Sequence, residues 1–151
     1  MKNITEKERI SILGTIGEKI FTNYASEQGF KVEQSINPFD NKKDLKINGK
    51  TIEVKTQVPF VTKNSFSLKA NQLKKARSVD KLIFITCPCR KSPDEGYIFE
   101  VDPKTFIIEE YTTKKDNLKM YLISRTQKAV RKLAKCKIEE IAELNKYRKD
   151  Y

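Results

Sequence analysis

The chain has 151 residues, and 31 lysines and arginines against 20 aspartates and glutamates leave a formal charge of +11 with no histidine. That length suits one domain spanning residues 1–151. The missing imidazole excludes Ser-His-Asp and Cys-His catalysis, His-ligated zinc and a histidine general base, and three cysteines are too few for a disulfide framework.

Thr5 and Glu8 stand at capping-box spacing and predict a helix start. Ile10, Leu13, Gly17, Phe21 and Tyr24 follow at intervals of three and four, one stripe that can face a core. Gly14 and Gly17 each cost helix propensity and mark either a bend or a close crossing of a neighbour. Gly29 supplies the left-handed stop, with Phe30 closing over the last turn. Residues 31–36 read as a short strand and 37–41 as a loop. Leu45-Lys46-Ile47 and Ile52-Glu53-Val54 then alternate around Asn48-Gly49, the pair that favours a two-residue turn with positive φ. This predicts a hairpin in which Ile47 faces Lys50, Leu45 faces Ile52 and Asp44 faces Glu53. A second helix is predicted over 67–77, capped by Ser67. A buried strand over 81–86 ends at Cys87-Pro88-Cys89, whose thiols read as strand-end packing rather than as a metal cluster. Strands are expected at 97–101, 106–111 and 120–123. A basic C-terminal helix is expected at about 124–147, with Val130, Leu133, Ile138, Ile141 and Leu144 on its apolar side. The order predicts an α/β sandwich around a mixed sheet.

The charge exceeds what solubility asks of a small domain, a magnitude of about 2 to 8. Basic residues cluster at Lys69, Lys74, Lys75 and Arg77, and again from Arg125 to Lys137 with no acidic residue between. Such patches are an electrostatic footprint for phosphate backbones. Lys74 and Lys75, and Arg125, Lys128, Lys132 and Lys135 on one side of the predicted helix, are therefore candidate nucleic-acid contacts, with Gln72 able to reach the same surface. Apolar runs long enough to cross a bilayer and a secretory opening are absent, so a cytoplasmic location without membrane association is the default expectation.

The hairpin carries the chemistry. Alternation puts Thr51, Glu53, Lys55 and Gln57 on one face of their strand, and the cross-strand register brings Asp44 to the same face. Facing carboxylates repel unless a cation compensates them. Mg²⁺ takes hard oxygen ligands from one or two carboxylates and leaves positions for water and phosphate oxygens. Lys55 lies where it can contact a phosphate or orient an attacking water.

The Gly17-Glu18 step of the first helix, the run from Lys43 and Asp44 to Glu53-Val54-Lys55, and the segment from Phe66 through Gln72 to Phe84 resemble the PD-(D/E)XK nuclease superfamily. Within it, small archaeal Holliday-junction-resolvase-like endonucleases are the nearest comparison. The resemblance covers about the first 86 residues. It implies a restriction-endonuclease-like three-layer sandwich around a mixed β-sheet and Mg²⁺-dependent hydrolysis of DNA, with Mn²⁺ able to substitute. Asp44 and Glu53 would hold the metal, Lys55 would support the attacking water, and Glu18 would complete the site. No proline precedes Asp44; Pro38 and Asp40 lie nearby, and Asp40 is a rival for the first carboxylate. A resolvase would be a two-fold homodimer. An RNA endonuclease, or an inactive nucleic-acid-binding module of the same fold, are the alternatives.

Overall fold

The computed structural model describes residues 4–36, 43–57, 65–87 and 95–147, with backbone alone at 35, 36, 43 and 44. Helix α1 (Glu6–Glu27) starts as its sequence dictates: the Thr5 hydroxyl accepts from the Glu8 N–H at 3.1 Å, and the Glu8 carboxylate accepts from the Thr5 N–H at 3.4 Å. Leu13, Gly17 and Phe21 of the expected stripe are buried together with Ile20 and Ala25, whereas Ile10 is exposed. Gly29 ends the helix at φ +82. Gly17 marks a close crossing, because a Cβ there would overlap the Thr56 hydroxyl; at Gly14 a Cβ would meet nothing within 4 Å.

Strands β1 (Val32–Ile36), β2 (Lys43–Ile47) and β3 (Lys50–Gln57) form an antiparallel meander. Asn48 and Gly49 take φ of 52 and 80, and the pairs Leu45–Ile52, Lys46–Thr51 and Ile47–Lys50 follow the predicted register. The chain then passes through β4 (Ser65–Lys69) and α2 (Ala70–Ser78) to β5 (Lys81–Thr86), which runs parallel to β3. Crossing back to a parallel neighbour needs such an excursion, since a hairpin cannot make the connection. β6 (Tyr97–Val101) and β9 (Val130–Lys135) complete a six-stranded mixed sheet in the order β1-β2-β3-β5-β6-β9, while β4, β8 (Lys119–Ser124) and β7 (Glu109–Thr112) form a second sheet in the order β4-β8-β7. Helix α3 (Ile138–Asn145) follows.

Each face of the central sheet has its own core. Leu13, Ile20 and Phe21 of α1 and Ile141 and Leu144 of α3 pack on Ile52, Ile83, Ile85 and Ile98. On the other face Phe66 and Leu68 of β4 and Ala76 of α2 pack with Leu82, Phe84, Phe99 and Ile123. Phe66 stacks on Phe84 at 4.2 Å between ring centroids. The fold is thus α/β, a central mixed sheet flanked by helices, with a small antiparallel sheet sharing one layer.

Three predicted elements differ. Ser67 does not cap a helix; it is buried at the centre of β4, and α2 begins only at Ala70. Both faces of β4 are covered, so its run lacks the alternation that marks a half-buried strand. The strand expected at 106–111 begins at Glu109, and Phe106 is instead a buried core residue with the Arg77 guanidinium 3.8 Å above its ring. The basic helix at 124–147 is the largest correction. Residues 125–129 form a turn, 130–135 the edge strand β9, and only Ile138–Asn145 is helical. Phe99 pairs with Lys132 but Ile98 with Ala134, so Leu133 is an extra residue in a β-bulge. Val130 packs into one core while Leu133 and Ala134 pack against the other. The three-residue spacing of Val130 and Leu133 imitates a helical stripe, but in a strand an odd spacing puts the two on opposite faces, and the bulge then turns Ala134 to the same side as Leu133. Ile138, expected on the apolar side, is 82% exposed.

Cys87, at the end of β5, and Cys136 are both buried; burial pushes the Cys136 thiol up to about 12, assisted by Glu140 and Cys87. The loop expected at 37–41 and Cys89 lie outside the described residues.

Candidate active site

The site is organised by β3, whose two faces meet different layers. Ile52 and Val54 join the core under α1, and Thr56 meets Gly17 of that helix. Glu53, Lys55 and Gln57 therefore point to the layer built from β4 and α2, and their contacts agree. The Glu53 carboxylate is bridged by two ammonium groups, Lys55 Nζ at 3.4 Å from Oε1 and Lys75 Nζ at 3.1 Å from Oε2. The three side chains are 15%, 22% and 50% exposed for Glu53, Lys55 and Lys75 respectively. One carboxylate between two ammoniums leaves an excess positive charge in a partly desolvated position, where fields are stronger than in bulk water. Such a position favours negative charge.

Gln57 closes the row. Its Nε2 donates to the Ser67 carbonyl at 2.5 Å and to the Ser67 hydroxyl at 3.3 Å, and its Oε1 accepts from the Ser67 N–H at 3.1 Å. β4 is an edge of its own sheet, so the Gln57 amide stands in for a neighbouring strand and fixes β4 beside β3. At the other end of β3, Asp80 at the entrance to β5 accepts from the Thr51 N–H at 2.9 Å and hydroxyl at 3.1 Å, which holds its carboxyl below the ordinary range. β3 is thereby pinned at both ends.

The sequence-predicted residues are placed as follows. Glu53 and Lys55 share a face and touch. Asp44 is a β2 residue paired with Ser35, one step beyond the Leu45–Ile52 pair, as Glu53 is on the opposite strand; its side chain, like Asp40, lies outside the described residues. Glu18 is half-buried on the turn of α1 that touches β3 at Thr56, although α1 covers the sheet face opposite to the Glu53 row. Gln72 is a capping residue: its Oε1 accepts from the Lys69 N–H at 2.9 Å at the start of α2. Lys74 is exposed on α2.

Arg125, Lys128, Lys132 and Lys135 do not line a helix, because the chain from 124 to 135 is a strand end, a turn and the edge strand β9. Lys128 is exposed in the turn, and the Lys132 ammonium lies 4.1 Å above the Tyr97 ring. The contributions of Lys75 and Gln57 were not distinguishable by sequence pattern alone. Lys75 reads as one of several surface lysines, and only the crossover through α2 brings it over Glu53.

Glu53 offers the hard oxygen donors a divalent cation takes, and both of those oxygens are paired with ammonium groups. Among the described residues no group of three or more His, Cys, Asp or Glu side chains is placed to hold a metal ion. No family model, curated protein or solved structure matches the chain. Among the described residues no helix is long and apolar enough to cross a membrane.

Proposed function

We propose that the protein is a metal-dependent endonuclease that hydrolyses DNA phosphodiester bonds on a restriction-endonuclease-like fold. The observation that carries this reading is the meeting of Glu53 and Lys55 on one face of β3, in a hairpin whose register leads to Asp44. The connection from β3 through α2 to a parallel β5 supports the fold assignment. Glu53 and Asp44 would hold Mg²⁺ or Mn²⁺; Glu18, on the helix that covers the other face of the sheet, would join them only by reaching round the strand end beside Thr56. Once bound, the cation supplies charge stabilisation at the phosphoryl oxygens and a lowered pKa for its water. Lys55 orients the attacking oxygen and balances the charge that develops on the phosphate. Lys74 and Lys75, together with Lys128, Lys132 and Lys135 around β9, supply cations for the backbone; such contacts position a substrate without reading its sequence.

The test is a cleavage assay on junction, flap, nicked, duplex and single-stranded DNA and on RNA, with Mg²⁺ and with chelator. Asp44→Ala, Glu53→Ala and Lys55→Ala should each suppress cleavage while most binding persists. Preference for junctions together with a dimer in sedimentation would place the activity on branched DNA, and preference for RNA would reassign the substrate. Normal turnover by either carboxylate variant refutes the proposed site. Binding with no cleavage of any substrate by the wild type makes the protein a nucleic-acid-binding module instead.

A further inference from the structure

We infer that Lys75 is a positioning residue that occupies the cation position of Glu53 until a divalent ion displaces it. This inference rests on the reading of Glu53 as a metal ligand. Lys55 and Lys75 divide the Glu53 carboxylate between them, but they are not equivalent. Lys55 is on the same strand, two residues on, and its backbone is held by the pairing of β3 with β5. Lys75 comes from α2, is half exposed, and makes the closer contact of the two. A flexible four-carbon stem and a solvated outer side let its ammonium leave Glu53 without disturbing the strand.

The physical consequence is competition. A divalent cation approaching Glu53 Oε2 meets a monovalent one already there, and both cannot share that oxygen at bonding distance without strong repulsion. With Lys55 on Oε1, Lys75 on Oε2 keeps both oxygens of the partly desolvated carboxylate paired in the metal-free protein. After displacement its ammonium stands at the mouth of the site, where a phosphate of the bound strand would be its next partner. Apparent metal affinity is therefore set against the Lys75 ion pair as well as by the ligands themselves.

Mn²⁺ binding to the full chain, followed by the electron paramagnetic resonance signal of the free ion, tests this without requiring turnover. Lys75→Gln and Lys75→Ala should bind Mn²⁺ about fivefold more tightly than the wild type, the upper end of what a half-exposed ion pair is worth. Lys75→Arg, which keeps the charge, should stay close to the wild type. Lys114→Gln, in the exposed turn between β7 and β8, removes the same net charge at a distance and should also leave affinity unchanged. Glu53→Gln should lose the site. Unchanged affinity in both neutral Lys75 variants, with binding still dependent on Glu53, overturns the role of Lys75 and leaves the metal reading intact. A wild-type protein whose Mn²⁺ binding does not depend on Glu53 overturns both.

Discussion

Replacing Gln57 by alanine isolates the bond that joins the two sheets. The Gln57 amide engages both backbone groups of Ser67, which is only 4% exposed, so truncation leaves a buried N–H and a buried carbonyl without their partner. Each such group costs about 1–3 kcal/mol. Because Gln57 is itself only half-buried and water can follow the shortened side chain, the expected total is about 2–4 kcal/mol. Against a usual total stability of about 5–15 kcal/mol, that is a large fraction. Urea unfolding followed by circular dichroism should show the midpoint falling by about 1–2 M, using a slope of about 2 kcal/mol/M for a domain of this size. Gln57→Glu is the sharper comparison. Its carboxylate can still accept from the Ser67 N–H but turns a second oxygen toward the Ser67 carbonyl, so at neutral pH it should be about as destabilising as alanine. Acidification through the ordinary glutamate range restores a donor and should recover part of the loss relative to the wild type at the same pH. A loss below about 0.5 kcal/mol for Gln57→Ala would refute the reasoning, since surface substitutions reach that much.

Gly17→Ala should destabilise the fold despite alanine's better helix propensity, because the added methyl overlaps the Thr56 hydroxyl; a net loss of about 1–2 kcal/mol is expected, and a double-mutant cycle with Thr56→Ala should show the loss largely recovered. Replacing Lys128, Lys132 and Lys135 together by glutamine should reduce the magnitude of the slope of log binding constant against log salt by about 2 to 3 if all three reach DNA, and an unchanged slope would remove the β9 edge from the interface. Cys136 should resist alkylation at pH 8 in the native protein and react on unfolding, read by peptide mass spectrometry. Its thiol is protonated in both states below its ordinary value of 9.0, while between that value and about 12 only the unfolded chain releases the proton, so it makes stability fall as pH rises through this window, and the slope should be shallower in Cys136→Ala.

What the sequence made legible was local. The Thr5 capping box, the Asn48-Gly49 turn and the apolar run 81–86 each carry their signal within a few residues, and α1, the β2–β3 hairpin and β5 follow from them. The same hairpin brought Glu53 and Lys55 together by period alone. β4 and β9 were missed because their strand character comes from partners far along the chain: Ser67 is buried between Gln57 and β8, and the bulge at Leu133 exists only against β6. The bridge from Lys75 to Glu53 is hidden for the same reason, since no local pattern says which of several exposed lysines a crossover will turn inward.

The pairing of β4 with β8 has a consequence for the order in which the chain can assemble. α1, the meander and β5 are complete once residue 86 has been made, and their contacts close over short stretches of sequence. β4 belongs to the same early stretch, yet its hydrogen-bonding neighbour β8 lies at Lys119–Ser124 and is synthesised much later. Until then the apolar strand Phe66–Leu68 has Gln57 on one side and bare peptide groups on the other. A nascent chain at this stage, or a product cut short after β5, presents an unpaired hydrophobic edge of the kind that recruits other chains. The long closure between β4 and β8 should accordingly limit the folding rate, and the Gln57 amide, by holding the Ser67 peptide groups on one edge, leaves fewer of them bare while the chain waits for β8.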